Sequence, residues 1–310
     1  MFIWRLVSIW FIDKRIKMII IKLQGGLGNQ MFQYAFASIL AKKNNDCLLI
    51  DKSFFEEVEK KPGFTPREFD LPVFKKTNSE ASSKVIFLFH HLSFFNKIKK
   101  KIGFNYPKIY NEPFFGFCKK ALDLKSPVYI NGYFQSYKYF IENERFIKNI
   151  FSFPIKELDL RNKNILSDIQ KSNTISVHIR RGDYVNDKIT QQFHGNCDLD
   201  YYLEAISLLA SQYNTFTLLF FSDDSDWVKE QFEYLPYPKI FIDHNKNENS
   251  WKDMFLMSSC NHNIIANSSF SWWAAWLNEN LDKTVIAPKK WFEAKDLDTK
   301  TLLPEEWIQL

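Results

Sequence analysis

The 310-residue chain has few cysteines and no internal repeat or low-complexity tract. Its four cysteines are scattered without a CxxC pair, at Cys47, Cys118, Cys197 and Cys260. This scatter argues against a zinc knuckle or a disulfide framework and is typical of proteins in a reducing cytoplasm. Because no repeat divides the chain, we predict one domain boundary, near residues 155 to 165.

The amino-terminal apolar run is too short to cross a membrane. Met1–Ile12 is apolar apart from Arg5, whereas a spanning helix needs about 20 residues. No small-residue cleavage site follows it, so a signal peptide is not indicated. We interpret residues 1–17 as an extension outside the core, with Met18 as the expected natural start and a short interfacial anchor as the alternative. We therefore predict a cytoplasmic protein, or one peripheral to the inner membrane.

The net charge of the chain bears on the kinds of partner it could bind. With 41 basic and 36 acidic residues, the net charge of +5 is too small to indicate nucleic-acid binding. It is compatible with anionic substrates or with peripheral contact at the inner face of a membrane. The aromatic share of 17% suits a sugar-binding cleft, although the composition of an AT-rich genome would also produce it.

The first fifty residues predict the start of an α/β domain. A strand over Ile19–Leu23, a glycine-containing turn, an amphipathic helix over Asn29–Lys43 and a strand over Cys47–Asp51 form a β-turn-α-β unit. Residues 52–125 lose this pattern and are interpreted as helical insertions and loops.

Regular alternation returns after Pro154 and predicts a doubly wound parallel sheet. The predicted strands are Thr174–Ile179, Thr215–Phe221, Ile240–Ile242, Asn263–Ala266 and Thr284–Ala287. The predicted helices are Leu199–Tyr213, Asp226–Phe232, Trp251–Ser259 and Ser271–Asn278. Before Pro154, we predict a strand over Val128–Phe134 and a helix over Phe140–Phe151.

The segment His178–Tyr184 follows one of these strands and contains two adjacent arginines. Arginines at a strand end are costly unless negative groups meet them, and ligands of α/β proteins bind at such ends. Since the guanidinium group fits phosphate oxygens, Arg180 and Arg181 predict a phosphate clamp. Asp183 would lie close enough to act on protons or to hold sugar hydroxyls. The alternative is a strand followed by a salt-bridged surface turn.

A second predicted strand ends at Ser222-Asp223-Asp224. Ser225 or Asp226 is expected to cap the following helix. A carboxylate at this strand end would accept hydrogen bonds from the N1–H and amino group of guanine. The alternative is a metal-binding DxD formed by Asp224 and Asp226. We favour guanine because the arginines already supply the charge that a metal would bring.

A third strand end and the first glycine turn complete the pattern. Ser268 and Ser269 precede a helix and predict a phosphate seat, unless one of Ser268, Ser269 and Ser271 is only the N-cap. The three following tryptophans are expected in the core, at Trp272, Trp273 and Trp276. In the first turn, Gly26 and Gly28 would let backbone N–H groups approach a ligand, and Asn29 is a further candidate N-cap.

These motifs together resemble glycosyltransferase family 11, the α-1,2-fucosyltransferases. The matching segments, in consistent order from Met18 to near the carboxyl terminus, are Gly25–Ala35, His178–Asp183, Phe221–Asp224 and Asn267–Trp273, with His194-Gly195 and Tyr201-Tyr202. The HxRRxD pattern is shared with α-1,6- and protein O-fucosyltransferases. The GGLGNQMFQYA opening together with SSFSWWAAWL is more specific to family 11.

The resemblance implies an α/β, GT-B-like fold with two Rossmann-like domains facing a cleft. Residues 18–157 would form the acceptor-side domain with its irregular insertion, and residues 158–310 the GDP-fucose-binding domain. It also implies GDP-fucose as donor, inversion at the anomeric carbon, and no required metal or other cofactor.

The same resemblance implies roles for individual residues. Arg180 and Arg181 would hold the β-phosphate, and Asn29 would face the reacting centre. The other residues of the GDP-fucose site would be His178, Ser222, Asp223 as the guanine reader, Asp224, Ser268, Ser269, Phe270, Gly26 and Gly28. The candidates on the acceptor side are Gln30, Tyr184 and His194.

The catalytic base does not transfer from the related α-1,6 enzymes. They have a glutamate after the HxRRxD run where this chain has Lys188. Asp183 is the candidate, followed by Asp187 and His194, and an oxocarbenium-like route that needs little base is the alternative.

The predicted function is transfer of L-fucose from GDP-β-L-fucose to the 2-hydroxyl of a terminal β-galactose, on a glycan that a lipid could carry. The alternatives are a fucosyltransferase of another linkage, such as α-1,6, a metal-dependent DxD glycosyltransferase, and a non-catalytic glycan- or nucleotide-binding protein. No nucleic-acid partner is expected.

Overall fold

The computed structural model describes residues 17–58, 67–77, 79–102, 104–182, 195, 197–293 and 297–310, without the side chains of 57 and 58. The chain divides into two compact units. The first contains the chain up to Gly25 and Asn29–Ile147, and the second contains Gly26–Gly28 and Lys148–Leu310.

The first unit is built on a parallel sheet with the strand order β2-β1-β4-β3. Its strands are β1 (Met18–Lys22), β2 (Cys47–Asp51), β3 (Lys108–Asn111) and β4 (Val128–Asn131). Its helices are α1 (Leu27–Asn44), α2 (Ser53–Val58), α3 (Ser83–His90) and α4 (Phe94–Lys101), and α5 (Glu144–Ile150) continues into the second unit. The chain changes direction across the sheet between β1 and β4, so the switch point of the first unit lies between these strands, where ligands of open α/β sheets bind.

The second unit is built on a parallel sheet with the strand order β10-β9-β8-β5-β6-β7. Its strands are β5 (Thr174–Ile179), β6 (Thr217–Ser222), β7 (Lys239–Ile242), β8 (His262–Ile264), β9 (Val285–Ala287) and β10 (Ile308–Gln309). Its helices are α6 (Leu160–Ile169), α7 (Leu199–Gln212), α8 (Ser225–Phe232), α9 (Trp251–Ser259) and α10 (Ser269–Leu277). Renumbered from β5, this is the 3-2-1-4-5-6 order of a Rossmann sheet, whose switch point lies between β5 and β8.

Strand β5 is buried on both faces. Ile175 and Val177 pack into the core with Tyr202 of α7. On the other face, Ser176 is also buried, and its Oγ accepts a hydrogen bond of 2.7 Å from Asn263 Nδ2. The alternation of apolar and polar residues in β5 therefore separates two buried environments and does not mark a solvent-exposed face.

The predicted fold class is confirmed, because both units are α/β with parallel sheets. Helix α1 differs from the prediction: it begins at Leu27, before Asn29, and apart from Asn29 it is buried throughout from Leu27 to Ala41. It looked amphipathic because polar side chains such as Gln33 recur. Gln33 is buried, however, and its amide pairs with the backbone of Gln24.

Other elements were missed or drawn too long. The sequence did not predict β3, β10 or α6, and β4 ends at Asn131 instead of Phe134. The helix expected over Phe140–Phe151 is reduced to α5 after a 3-10 turn. β3 and α6 are rich in polar residues and β10 has only two residues, so they give little hydrophobic periodicity.

None of the described helices is both long and apolar enough to span a membrane.

Candidate active site

The switch point of the second unit brings two of the predicted motifs together. Arg180 follows the last residue of β5, and Ser268 lies at the amino terminus of α10, four residues after the end of the neighbouring strand β8. The N–H groups at the start of a helix attract negative charge. This strand edge therefore combines two cationic side chains with the positive end of a helix, as a phosphate site requires.

Arg180 is held by Asp223, which follows β6. The Nη1 of Arg180 lies 2.9 Å from one carboxylate oxygen of Asp223. The other oxygen of Asp223 accepts hydrogen bonds of 2.9 Å from the backbone N–H groups of Arg181 and Gly182. Asp223 thus fixes the turn after β5. A guanidinium has five N–H donors, so a single ion pair uses only part of its donor capacity.

Arg181 is held by a similar pair. Its Nε donates to Asp224 at 3.1 Å, and its guanidinium lies 4.2 Å from the centre of the Trp227 ring. Asp224 is also the N-cap of α8, since its other oxygen accepts from the N–H of Trp227. This corrects the expectation that Ser225 or Asp226 caps the helix. Two carboxylates orient the partly exposed arginine pair, so the salt-bridged turn is present, and the phosphate clamp stays a prediction that this turn would suit.

His178 lies next to this clamp and is deeply buried. Burial lowers its pKa to about 4, an effect that Asp223 opposes and Arg180 reinforces. The imidazole is therefore neutral near pH 7, with one donor and one acceptor nitrogen. Its Nδ1 has no hydrogen-bond partner among the described residues, and its ring lies 5.8 Å from that of Phe270. A buried polar atom without a partner is costly, so a ligand atom would be favourable here.

One of the serines at the start of α10 caps the helix, which was one of the two predicted roles. Ser268 is the N-cap, because its Oγ accepts from the N–H of Phe270 at 3.3 Å. A hydroxyl that accepts still has a proton to donate, so the predicted contact of Ser268 and Ser269 with a diphosphate stays a prediction. The tryptophans that follow belong to the core, as expected: Trp272 and Trp273 are completely buried.

The glycine turn also reaches this helix terminus. Gly26–Gly28 belong to the second unit. A Cβ atom on Gly28 would lie 2.5 Å from the backbone carbonyl carbon of Ser269, whereas a Cβ on Gly26 would meet nothing within 4 Å. Gly28 is therefore required for close packing, and Gly26 borders open space.

The switch point of the first unit has a different composition. Asn29 Oδ1 accepts a hydrogen bond of 2.7 Å from Gln135 Nε2. Beyond β3, the two carboxylate oxygens of Glu112 accept from the N–H groups of Tyr133 and Phe134, at 2.7 and 3.0 Å. Phe134 has a φ of 52°, a costly conformation for a bulky residue. Glu112 therefore stabilises a strained turn, and burial raises its pKa.

Glu112 and Gln135 were not predicted from the sequence. Each sits beyond the end of a short strand, and β3 itself was not predicted. An acidic residue directly after a strand, as at Glu112, was the available signal.

Gln30 joins two segments of the first unit. It is completely buried, and its amide nitrogen donates to the carbonyl groups of Gly25 and Glu68. Its amide oxygen accepts from the N–H groups of Asp70 and Leu71, both at 3.0 Å. These four hydrogen bonds use the full capacity of an amide. Gln30 therefore links residues 68–71 to the glycine turn, and its predicted contact with an acceptor sugar stays a prediction.

Several predicted residues lie outside the described part of the chain: Asp183, Tyr184, Asp187, Lys188 and His194. Their predicted roles stay predictions.

The described residues include no group of three or more His, Cys, Asp or Glu side chains that could hold a metal ion. Within the candidate DxD, Asp224 pairs with Arg181 and is the N-cap of α8, and Asp226 is exposed in the first turn of that helix.

Comparison with known proteins decides the family. A family model described as "Glycosyl transferase family 11" matches residues 1–310. The chain belongs to glycosyltransferase family 11. This confirms the resemblance deduced from the motifs.

Individual relatives of this family 11 chain include two proteins of Escherichia coli. The O-antigen biosynthesis glycosyltransferase WbnK is 34% identical over 309 residues, which cover 93% of this chain and 99% of the relative. An alpha-1,2-colitosyltransferase is 34% identical over 302 residues, 94% of this chain and 98% of the relative. The galactoside alpha-(1,2)-fucosyltransferase 1 of Aotus azarae is 29% identical over 109 residues, 35% of this chain and 30% of the relative.

Proposed function

We propose that this family 11 glycosyltransferase is an inverting galactoside 2-α-L-fucosyltransferase with GDP-β-L-fucose as its donor. One observation carries the proposal: the Arg180–Asp223 and Arg181–Asp224 pairs lie at the Rossmann switch point of the second unit, beside a neutral buried histidine. The relative named as a galactoside alpha-(1,2)-fucosyltransferase supports the linkage and the acceptor.

In this reaction the arginines stabilise the leaving group. The 2-oxygen of galactose forms a bond to the anomeric carbon of fucose while the bond from that carbon to the β-phosphate oxygen breaks. The electron pair stays on GDP, so negative charge grows on the β-phosphate. Donors that are already oriented there act most strongly in the transition state. Asp223 and Asp224 provide this orientation by holding Arg180 and Arg181.

The neutral imidazole of His178 suits the nucleoside, which carries no charge. We propose that His178 forms a hydrogen bond to the base or ribose and that Phe270 contacts the same group. Asp223 was predicted to read guanine. Its carboxylate is engaged with Arg180 and with the turn after β5, so we assign it a positioning role, and the reading of guanine stays a prediction.

We propose that the first unit binds the acceptor through the uncharged groups at the ends of β1, β3 and β4, including Asn29. The acceptor hydroxyl must lose its proton to a base, and general-base catalysis typically raises the reaction rate about 100- to 10,000-fold. Asp183 is the proposed base. No metal is assigned to the reaction, because the arginines supply the positive charge and Asp224 is engaged with Arg181. A lipid-linked galactoside is the proposed form of the acceptor.

A second candidate donor is GDP-colitose. The relative named as an alpha-1,2-colitosyltransferase is similar to this chain over 94% of its length. Colitose is L-fucose without the 3-hydroxyl, so the two donors would share every diphosphate and base contact described above. A site that binds the 3-hydroxyl through hydrogen bonds would reject colitose strongly, whereas a site with an apolar contact there would accept it.

The test is to incubate the full chain with GDP-fucose or GDP-colitose and a panel of galactosides, with and without EDTA. We expect release of GDP, a product with an α-1,2 linkage by nuclear magnetic resonance, and an unchanged rate in EDTA. A product of another linkage would overturn the acceptor assignment. Loss of activity in EDTA would favour a metal-dependent enzyme. GDP binding without transfer to any galactoside would favour a non-catalytic binding protein.

A further inference from the structure

Helix α4 of the first unit turns its apolar side outward. Phe94, Phe95 and Ile98 are all exposed, whereas Asn96 is buried. Ile102, which directly follows the helix, is exposed as well. A helix that packs on a protein core shows the opposite arrangement, with apolar residues inside and polar residues outside.

The exposed apolar residues of α4 share one face. Phe94, Ile98 and Ile102 are spaced four residues apart, and Phe95 lies three residues before Ile98, so all four are neighbours on a helical surface. We call these four residues the outward stripe. The exposed fractions of Phe94 and Ile102 are 73% and 61%. Phe104, whose N–H bonds back to Lys99 O at the end of the helix, is 67% exposed and extends the apolar surface.

The surroundings of the outward stripe are basic. Residues 81–111 contain no aspartate or glutamate. They contain six lysines, Lys84, Lys97, Lys99, Lys100, Lys101 and Lys108. Lys97, Lys100 and Lys101 are exposed on α4 itself, and on a helical wheel Lys97 and Lys101 lie beside Phe94. An apolar face bordered by lysines is the pattern of helices that lie in the interface of an anionic membrane.

We propose that the outward stripe and its lysines dock the protein onto an anionic lipid bilayer. Aromatic and aliphatic side chains at this surface would enter the boundary between headgroups and acyl chains, while the lysines contact lipid phosphates. Charge complementarity selects this occupant, because the surface has cations around an apolar centre and no carboxylate nearby in the chain. The inference goes beyond the transfer reaction and does not depend on it, since docking requires neither donor nor acceptor.

The experiment is flotation of the purified full chain with vesicles. One set contains phosphatidylglycerol and phosphatidylcholine, and the other contains phosphatidylcholine alone. We expect binding to the anionic vesicles at low ionic strength and much weaker binding to the neutral ones. The triple variant K97Q/K100Q/K101Q should lower the partition coefficient about 100-fold at low ionic strength. The variant F94S/F95S should lower it at least about tenfold.

Matched controls separate docking from general charge and hydrophobicity. The variant K156Q/K163Q/K289Q removes the same charge from exposed lysines of the second unit, and L160S/L281S removes exposed leucines there. Both controls should bind vesicles like the unchanged protein. Circular dichroism melting of every variant confirms folding.

Three results would overturn the proposal. In the first, the unchanged protein does not float with anionic vesicles. In the second, the α4 variants bind as well as the controls, so that another part of the full chain, such as Met1–Ile12, carries the binding. In the third, the unchanged protein is a dimer that F94S/F95S converts to a monomer, so that a second copy covers the outward stripe. Vesicle binding and transfer to a soluble galactoside are measured separately, so failure here leaves the proposed function untouched.

Discussion

The two parallel sheets end in different chemistry at the same topological position. At the switch point of the second unit, Arg180 and Arg181 are each paired with a carboxylate. At the switch point of the first unit, the amides of Asn29 and Gln135 are joined, and the nearby carboxylate of Glu112 binds only backbone N–H groups among its described contacts. One sheet edge offers oriented arginines with their carboxylate partners, and the other offers amide groups beside a buried carboxyl.

This difference fits a reaction with one charged and one neutral substrate. A diphosphate needs cations, whereas a sugar acceptor needs neutral donors and acceptors of hydrogen bonds. A parallel α/β sheet can present either kind of group, because the residues that follow its strands can change while the fold stays the same. The comparison therefore assigns the donor to the second unit and the acceptor to the first, as our proposal.

The largest expected effect comes from removing one cation of the second unit. We expect Arg180→Ala to lower the transfer rate about 100- to 1,000-fold with the fold intact, because one pre-oriented donor to the leaving phosphate is lost. Steady-state kinetics of GDP release measures this. Arg161→Ala is the control, since Arg161 forms an exposed pair with Asp243 in the same unit. Turnover above about a tenth of the unchanged value would contradict the clamp.

The next effect concerns the packing of the glycine turn against α10. Gly28→Ala places a methyl group 2.5 Å from the backbone of Ser269, so the start of α10 must shift. We expect a loss of about 1–3 kcal/mol in the free energy of unfolding and weaker binding of GDP. Gly26→Ala, with open space around the added methyl, should leave the free energy of unfolding nearly unchanged. Equal destabilisation of the two variants in urea unfolding would refute this account of the turn.

A smaller and more selective effect is expected in the first unit. In Glu112→Gln, one carboxylate oxygen becomes an NH2 group that cannot accept from the N–H of Tyr133 or Phe134. We expect the KM for the galactoside to rise about tenfold through distortion of the turn, while GDP affinity stays unchanged. The exposed Glu142→Gln is the control. If Glu112→Gln weakens GDP binding as much as acceptor binding, the division of labour between the units is wrong.

The smallest effect on transfer is expected from Asp253, whose carboxyl in α9 accepts from Asn245. Burial raises the pKa of this carboxyl to about 7, against the opposing effect of the Asn245 hydrogen bond. The stability it contributes is present below its unfolded pKa of 3.8 and is lost as the pH rises through about 7. Asp253→Asn should thus raise the free energy of unfolding by roughly 1–4 kcal/mol at pH 8, with little change in transfer. Urea midpoints between about pH 5 and pH 8 measure it, and a variant with the same pH slope as the unchanged protein would disprove the assignment.

The strands that carry the site were predictable because they are apolar and β-branched, as in Thr174–Ile179. The sequence also predicted that negative groups would meet Arg180 and Arg181, since adjacent cations at a strand end need such partners. The sequence could not show which carboxylates are those partners. Asp223, Asp224, Ser225 and Asp226 are all suitable capping residues, and only the position of β6 beside β5 places Asp223 against Arg180 and Asp224 against Arg181.

Residues with long-range partners were the hardest to predict. Gln30 binds residues about forty positions away, and Gln135 binds Asn29 over a separation of 106. Neither hydrogen bond follows from local propensity, because amide side chains serve caps, turns and ligand sites equally well. The outward stripe of α4 was visible only as a basic aromatic stretch until the structure showed which side of the helix is buried.

The most direct test of the donor site is calorimetric titration of the full chain with GDP and with GMP. These ligands differ by the β-phosphate, which the Arg180–Arg181 clamp is proposed to hold. We predict that GDP binds about 10- to 100-fold more tightly than GMP, and that Arg180→Ala removes most of this difference. Equal affinity for GDP and GMP in the unchanged protein would contradict the account.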